Sequence, residues 1–431
     1  RFVLPCIGTM LFTSIYGIVD GLCVSNFVGK TAFAAVNLIM PLPMLLGTIG
    51  FMLGTGGSAI VGITLGEGDQ KKADRYFTLF LLAALVSVSV LAVLGIVFLR
   101  PIAVLLGAKG ELLDYAVRYG RILMVSLPTF ALQNMFQSFF VTAEKPHLGF
   151  WFTVGAGCTN MVLDVLMVGI WGWGVEGAAI ATFISQLVGG VLPVFYFIDR
   201  SNSSRLHLCK TSFYSKVLRD ACINGSSELM TNLSMSLVNI LYNYQLLRLA
   251  GENGVAAYGV IMYAAFLFVA VFVGYAVGSA PIVSFHYGAR NHTEVHNLYR
   301  KSLRLIAVVA VTLTLASMFI IPCVARIFVG YDAELLALTS RAFRLYALSF
   351  LIMGFNVYAS SFFTALGDGV TSALISFLRT LAFQVIAILL LPLLLGIDGI
   401  WLAVTAAELA ALAVSAAMLL TKDKVFHYRK V

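Results

Sequence analysis

The sequence predicts an all-α polytopic membrane protein with twelve transmembrane helices arranged in two six-helix lobes. Three observations predict this fold. The composition of the 431 residues is 60% hydrophobic and 11% charged, with a mean hydropathy of +0.95, whereas a soluble domain carries roughly 25% charged residues. The apolar residues form twelve runs of membrane-spanning length, and the second half of the chain repeats the first.

The apolar runs are separated by glycine, proline and clusters of charge, and each is long enough for the roughly 20 residues that a spanning helix needs. The first run is too long for a signal-peptide core and carries an acid, so we count it as a span. Runs longer than a straight crossing indicate tilt. The expected spans are 2–26, 32–65, 75–99, 114–142, 147–171, 175–198, 214–249, 254–287, 296–322, 336–365, 370–395 and 398–421.

The distribution of lysine and arginine predicts the orientation of the chain. With twelve spans, 18 of these residues fall on the side that holds both termini, and nine fall on the other side. Because basic loops stay inside, we expect a multi-pass protein of the cytoplasmic membrane with both termini in the cytoplasm. The net charge of +8 is then explained by contact with anionic lipid, and nucleic acid is not an expected partner.

No motif of a soluble enzyme is present in the sequence. The six cysteines are scattered and include no CxxC pair, so neither a disulfide framework nor a metal cluster is expected. His292 and His296 are spaced i, i+4 but have no third ligand. There is no P-loop and no set of nucleophile, base and orienting group. We therefore expect no enzymatic activity and no cofactor.

The internal repeat predicts how the chain is divided. At an offset of 222 residues, Gly29, Ala34, Ala35, Ile39, Met40, Gly56, Ile60, Val61 and Gly66 match Gly251, Ala256, Ala257, Ile261, Met262, Gly278, Ile282, Val283 and Gly288. Because six spans separate equivalent positions, the two halves have the same orientation in the membrane. We expect an N-lobe at 1–204 and a C-lobe at 205–431, which favours a transporter whose lobes rock about a central cavity. The alternative is a repeat retained for assembly alone.

A carboxylate near the end of the first span is the leading candidate for function. Thr13, Tyr16 and Asp20 share one helical face, and an acid within a bilayer-spanning helix is costly enough to suggest a function. The alternative is that Asp20 lies at the helix end and contacts water.

A second acid lies in the fifth span, where Asn160 and Asp164 share a face, and Thr182 follows in the sixth span. Asp20 and Asp164 are not repeated in the second half. Two carboxylates, an amide and a hydroxyl are hard oxygen ligands of the kind that bind Na⁺ or share a proton. The alternative is that each acid separately makes a hydrogen bond between helices.

These residues carry a resemblance to the multidrug and toxic compound extrusion (MATE) family, in the bacterial branch of DinF-like and staphylococcal multidrug proteins. The resemblance covers essentially the whole chain. It rests on five stretches: Tyr16-Gly-Ile-Val-Asp20, Asn160-Met-Val-Leu-Asp164, Gly174-Val-Glu-Gly-Ala-Ala-Ile-Ala-Thr182, Gly274-Tyr-Ala-Val-Gly-Ser-Ala-Pro281 and Ser361-Phe-Phe-Thr-Ala-Leu-Gly-Asp368. It implies a V-shaped pair of helical bundles that export cationic or amphipathic compounds in exchange for H⁺ or Na⁺.

The resemblance also implies roles for particular residues. The cation-coupling residues it implies are Asp20, Asn160, Asp164 and Thr182. Tyr16 matches a tyrosine one turn before the first acid, and Pro5 matches a proline implicated in bending of the first helix. We expect Thr13, Tyr16 and Met161 to line the substrate cavity. The acid pair that some relatives use for Na⁺ in the second lobe has no clear match here.

Three further charges, Glu228, Arg379 and Glu408, lie inside second-half spans. We expect a structural ion pair, with Glu228 as the first candidate partner of Arg379.

The leading interpretation is a secondary active antiporter that exports drugs and acts as a monomer in the lipid bilayer. The main alternative is a lipid-linked oligosaccharide flippase of the related superfamily, which predicts a cationic cavity for a pyrophosphate. A receptor or assembly scaffold that does not transport is the third class.

Overall fold

The computed structural model describes residues 2–27, 30–330 and 332–428, and the side chains of residues 18–27, 30, 31, 33, 34, 37, 252, 327 and 328 lie outside that description. Nearly all of the described chain is helical. Twelve helical rods follow one another in the predicted order: α1 Val3–Phe27, α2 Lys30–Ile39 and Pro41–Gly66, α3 Gln70–Leu105, α4 Gly110–Thr142, α5 Pro146–Ile170, α6 Gly174–Ile198, α7 226–250, α8 Asn253–Gly288, α9 His292–Val329, α10 Ala333–Ala347 and Phe350–Ala365, α11 Gly369–Leu395 and α12 Ile397–Thr421.

The helices differ in whether their length and hydropathy suffice to cross a membrane. Within the described ranges, eight helices are long and apolar enough to cross a bilayer, and the two parts of α10, bent by 46°, make a ninth. In α1 the described side chains end at Gly17, and the stretch Val3–Gly17 is apolar but shorter than a full membrane span. An additional amphipathic helix, Ser215–Asn224, precedes α7.

Proline and glycine mark the breaks within and between rods. In α2 the break falls before Pro41, which occupies the first turn of the second part, where a backbone N–H would have no partner within the helix in any case. The boundary between α7 and α8 lies at Gly251, whose φ of 60° is the left-handed conformation that glycine adopts at low cost. The expected break between residues 249 and 254 is thus a sharp reversal of the chain.

The internal repeat is visible in the turns. Residues with positive φ recur at equivalent positions: Gly68 and Arg290, Glu144 and Gly367, and Gly174 and Gly396. The helices that follow two of these turns start in the same way, because Asp69 and Asn291 both accept a hydrogen bond from the backbone N–H three residues later. The two halves therefore share backbone geometry where their side chains differ.

The interior of each half repeats as well. The rings of Phe77 and Phe139 lie 4.8 Å apart between α3 and α4, and the equivalent rings of Tyr299 and Phe362 lie 5.5 Å apart between α9 and α10. Each pair belongs to the apolar core of its own half. The chain thus folds as two helical bundles of matching design.

The halves contact each other through glycines at the end that carries both termini. A Cβ atom on Gly66 would lie 2.0 Å from the carbonyl oxygen of Phe285, and one on Gly288 would lie 2.1 Å from that of Ile63. At Gly225, just before α7, the corresponding distance to the oxygen of Met52 is 1.9 Å. Backbones can approach this closely only where no side chain intervenes. The described lobes are therefore tightly closed at this end.

The segment between the lobes adds a polar contact at the same end. Arg205 forms an ion pair with Glu144, at the turn between α4 and α5. Its guanidinium also lies 5.0 Å from the ring centroid of Phe285 on α8, a distance suited to a cation–π interaction. One side chain thus contacts both halves.

Candidate cation site and transport cavity

Helices α1 and α5 run side by side in the same direction, and a glycine on each helix makes room for aromatic side chains of the other. Gly8 lies against the ring of Phe150, and Gly157 lies against the rings of Phe12 and Tyr16. A Cβ atom on Gly157 would be 2.4 Å from Phe12 and 3.1 Å from Tyr16. The contact at Gly157 therefore fixes the register of the two helices one turn before Asn160.

The two candidate residues of α5 are both inside the protein. The exposed fraction is 2% for Asn160 and 0% for Asp164. Among the described residues, neither the amide nitrogen nor the amide oxygen of Asn160 has a hydrogen-bond partner. A buried amide without partners costs free energy unless a ligand or water satisfies it. Within the described part of the chain, the hydrogen-bonding capacity of this buried amide is therefore unused.

The backbone of α5 changes at the acid. The regular helix ends at Asp164, and residues 165–170 form a π-helix. Such widened turns often occur at functional sites, because they leave backbone groups less regularly paired and redirect side chains. Asp164 thus stands at a local irregularity of the helix.

The side chain of Asp20 lies outside the described residues, but its backbone belongs to α1. The contacts of Gly8 with Phe150 and of Tyr16 with Gly157 set the register between the helices. Continued by one helical turn, this register brings the backbone of Asp20 level with the stretch of α5 between Asn160 and Asp164. The two acids predicted from sequence thus belong to helical turns at the same depth.

Three other predicted residues lie around this level. The Thr182 hydroxyl donates a 3.0 Å hydrogen bond to the carbonyl oxygen of Ala178, one turn back in α6. Its oxygen keeps lone pairs for a further interaction. Within the described part of the chain, the buried Thr13 hydroxyl has no hydrogen-bond partner. Met161 is half-buried on α5.

Pro5 is buried in the first turn of α1, where the absence of its N–H leaves the helix intact. Its carbonyl oxygen accepts a 2.9 Å hydrogen bond from the Thr9 hydroxyl. In this structure α1 runs unbroken from Val3 to Phe27, and a bending role for Pro5 stays a prediction.

A separate cavity of about 340 Å³ lies mainly in the second half and reaches Thr55, Ser58 and Ser138 of the first half. This volume is in the range of small-molecule sites. Its walls are aromatic and methionine side chains together with polar groups of α7, α10, α11 and α12. The lining residues include Glu228, Met235, Asn239, Tyr242, Tyr258, Met262, Phe266, Tyr346, Met353, Arg379 and Glu408.

The charges of this cavity pair differently from the sequence-based expectation. Arg379 lies 3.8 Å from the carboxylate of Glu408 on α12, and no ion pair with Glu228 occurs among the described residues. Glu408 also accepts a 2.7 Å hydrogen bond from Asn356, which in turn accepts one of 2.9 Å from Ser415. The expected pair of Arg379 with Glu228 is therefore wrong, because α12 provides the nearer and better-supported carboxylate.

Asn356 and the cavity tyrosines were missed by the sequence reasoning. Asn356 is an uncharged polar residue in a long apolar run, a costly placement that could have drawn attention to it. The Tyr258 hydroxyl donates a 2.6 Å hydrogen bond to Asn239, and its ring stacks on that of Tyr242 at 4.9 Å. This aromatic wall faces a cavity with two carboxylates and one guanidinium.

Comparison with known proteins agrees with this architecture. The MatE family model matches the chain twice, at residues 5–166 and 229–390. The multidrug export protein MepA of Staphylococcus saprophyticus is 21% identical over 431 residues, covering 99% of this chain and 94% of that protein.

Two solved structures have the same fold. A MATE protein in complex with MaL6 superposes with a TM-score of 0.94 at 22% identity, covering 99% of this chain and 96% of the other. A multidrug resistance MATE family transporter of the MOP superfamily in an outward-facing conformation gives 0.93 at 23%, covering 99% and 95%.

The twofold family match covers most of the chain and repeats with nearly the same spacing as the internal repeat. The twelve-helix, two-lobe fold agrees with the solved relatives over almost their full length. The chain therefore belongs to the MATE family of multi-pass membrane transporters and is not an enzyme.

Proposed function

We propose that the protein exports cationic or amphipathic organic compounds across the cytoplasmic membrane by antiport against H⁺ or Na⁺. The observation that carries the proposal is the buried pair of Asn160 and Asp164, level with Asp20 in the neighbouring helix. The staphylococcal relatives are named multidrug export proteins, which supports small drugs as substrates.

The proposed coupling site is formed by Asp20, Asn160, Asp164 and Thr182. Two carboxylates close together in a low-dielectric region repel each other, so a proton or Na⁺ that enters from outside stabilises the pair. The Asn160 amide, which has no hydrogen-bond partner among the described residues, and the Thr182 hydroxyl supply neutral oxygen ligands. Occupancy changes the contacts of α1 with α5, and Tyr16, which we expect to line the substrate path together with Thr13 and Met161, transmits the change.

The closed glycine contacts at the end with both termini fit a state that faces outward. With both termini in the cytoplasm, the described conformation would release drug to the outside and receive the coupling ion. Export then requires the lobes, taken as 1–204 and 205–431, to separate at the cytoplasmic end when drug is loaded. A monomer contains both lobes and is sufficient for this cycle.

The charge of the second-half cavity argues against the flippase alternative. A site for a lipid-linked pyrophosphate needs an excess of positive charge, because two phosphates must be neutralised. Here Arg379 faces two carboxylates, Glu228 and Glu408. When all three are ionised, the cavity favours a cation.

The test measures ethidium efflux by the full chain in membrane vesicles with a pH gradient or a Na⁺ gradient imposed separately. Asp20→Asn and Asp164→Asn should each abolish efflux, and the gradient that drives the unmodified protein identifies the ion. Asp114→Asn, an exposed acid of α4, is the control and should leave efflux unchanged. Ion-driven efflux that survives in both site variants would refute the coupling site.

A further inference from the structure

A groove open to the bilayer lies on the outer side of the second half. Helices α9 and α12 pack against the second part of α10 from either side but hardly contact each other. The space between them has a volume of about 640 Å³. Its lining residues are His296, Tyr299, Arg300, Leu303, Phe355, Leu412, Ser415, Ala416, Leu419 and Leu420.

The groove is polar at one end and apolar along its length. His296 and Arg300 lie near the start of α9, at the membrane surface that carries the termini. From Leu420 to Leu412 the apolar wall on α12 extends for about 12 Å at the rise of a helix. Phe355 of α10 forms part of the floor. The basic rim therefore lies at the level of the lipid headgroups, and the apolar channel lies at the level of the acyl chains.

The equivalent position in the first half is covered by the chain itself. There Leu206 of the inter-lobe segment is fully buried with Phe77 and Phe139. The segment continues across α3, where the N–H of His207 donates to Asp74 and that of Cys209 donates to the Thr78 hydroxyl, at 3.0 and 3.1 Å. Two acceptors on α3 thus hold a strand of backbone in place.

In the second half the repeat keeps the packing of the core, but hydrogen-bond donors replace the acceptors at the groove. Tyr428 takes the place of Leu206, and its buried ring packs on Tyr299 and Phe362. At the offset of 222, the acceptors Asp74 and Thr78 are replaced by the nitrogen donors His296 and Arg300. Arginine cannot accept a hydrogen bond from a backbone N–H, so this groove is not built to hold a similar segment.

Arg300 is exposed, and it makes no ion pair with any residue that the structure describes. His296 is already engaged through Nδ1, which lies 3.0 Å from the carbonyl oxygen of Tyr428. Within the described residues the guanidinium is therefore a charge without an ion-pair partner at the mouth of an apolar groove, and phosphate is the anion that its planar donors fit best.

We propose that the groove between α9 and α12 binds one anionic phospholipid, with the headgroup phosphate at Arg300 and an acyl chain along Leu303, Leu412 and Leu419. Basic pockets between helices at a membrane surface are suited to anionic headgroups. Among the described residues nothing fills this groove, whereas the first half fills the equivalent place with the segment from Leu206 to Cys209.

The test compares phospholipid binding to the purified full chain by native mass spectrometry, with phosphatidylglycerol and phosphatidylcholine as probes. The unmodified protein should retain phosphatidylglycerol in preference. Arg300→Gln should weaken that binding by about fivefold, the effect of one basic residue near an anionic surface. Lys301→Gln is the matched control, because Lys301 is exposed at the same depth of α9 but does not line the groove, and it should bind as the unmodified protein does.

Three outcomes would overturn the proposal. Equal binding of both lipids would show that the headgroup is not recognised. An equal loss in the Arg300 and Lys301 variants would show diffuse attraction to a basic surface. Binding that appears only after the chain is cut behind Tyr428 would show that the end of the chain occupies the groove. Thermal unfolding of each variant checks that the exposed substitutions leave the fold intact.

Discussion

Replacing Gly288 by alanine should open the lobes at the end that holds the termini. The new Cβ atom would lie 2.1 Å from the carbonyl oxygen of Ile63, whereas ordinary contacts begin at 3.4 Å. The backbones of α8 and α2 must therefore separate by roughly 1.3 Å, the difference between those distances. Neither partner can rotate away, because the clash is with the main chain.

The magnitude follows from the usual cost of overpacking. An extra methyl group in a tightly packed interior costs about 1–3 kcal/mol, and here only the closed state has the clash. The ratio of closed to open molecules should therefore fall by about 5-fold to 150-fold. Gly259→Ala is the control in the same helix, since a Cβ atom there meets nothing within 4 Å, and it carries the same gain in helix propensity.

The measurement is the distance between spin labels at positions 71 and 301, both exposed near the same membrane surface, in the full chain in nanodiscs. The unmodified protein and the Gly259 variant should give mainly the shorter distance, and Gly288→Ala should add a longer one. Identical distributions in the two alanine variants would refute the argument that backbone contact holds this end closed.

Two other predictions concern buried and capping charges. Arg379→Gln should destabilise the protein by about 3–5 kcal/mol, because it leaves the Glu408 carboxylate buried without its partner. The double variant with Glu408→Gln should recover most of this loss in thermal unfolding, and a double variant no more stable than the single one would contradict the pairing. Burial acts to raise the pKa of Asp368, but the hydrogen bonds from Lys422 and Thr371 outweigh it, and the pKa is held below its usual value. Since the folded pKa is the lower one, this stabilisation is present above about pH 4 and disappears as the pH falls through the lowered value. Asp368→Asn should flatten the dependence of the unfolding midpoint on pH in that window, and an unchanged slope would contradict this prediction.

The outline of the fold could be predicted from the sequence because apolar length and repetition are local signals. Eleven of the expected spans each coincide with one helical rod, whereas the seventh, 214–249, takes in both the separate helix Ser215–Asn224 and α7. The matched positions Gly174 and Gly396 share a positive φ at the turn. The break before Pro41 inside the second span was missed. The run of apolar residues continues across it, and hydropathy alone does not detect a change of direction.

Side-chain partners between helices were harder to predict. Asn160 and Asp164 were placed on one face because their spacing is internal to α5, and both are buried. The choice between Glu228 and Glu408 for Arg379 depends instead on the rotation of α7 and α12 about α11. Neither the spacing nor the composition of the sequence determines that rotation, so the prediction favoured Glu228, which is the wrong acid.

The segment between the lobes, residues 205–224, is not a flexible linker. From Arg205 to Thr211 it is hydrogen-bonded to α3, and the amphipathic helix after it packs into the core of the first bundle through Leu218 and Ala221. This whole stretch would travel with the first bundle during rocking. The junction with the second bundle is then Gly225, the residue just before α7, and any side chain there would collide with the main chain of α2, since a Cβ atom would lie 1.9 Å from the carbonyl oxygen of Met52.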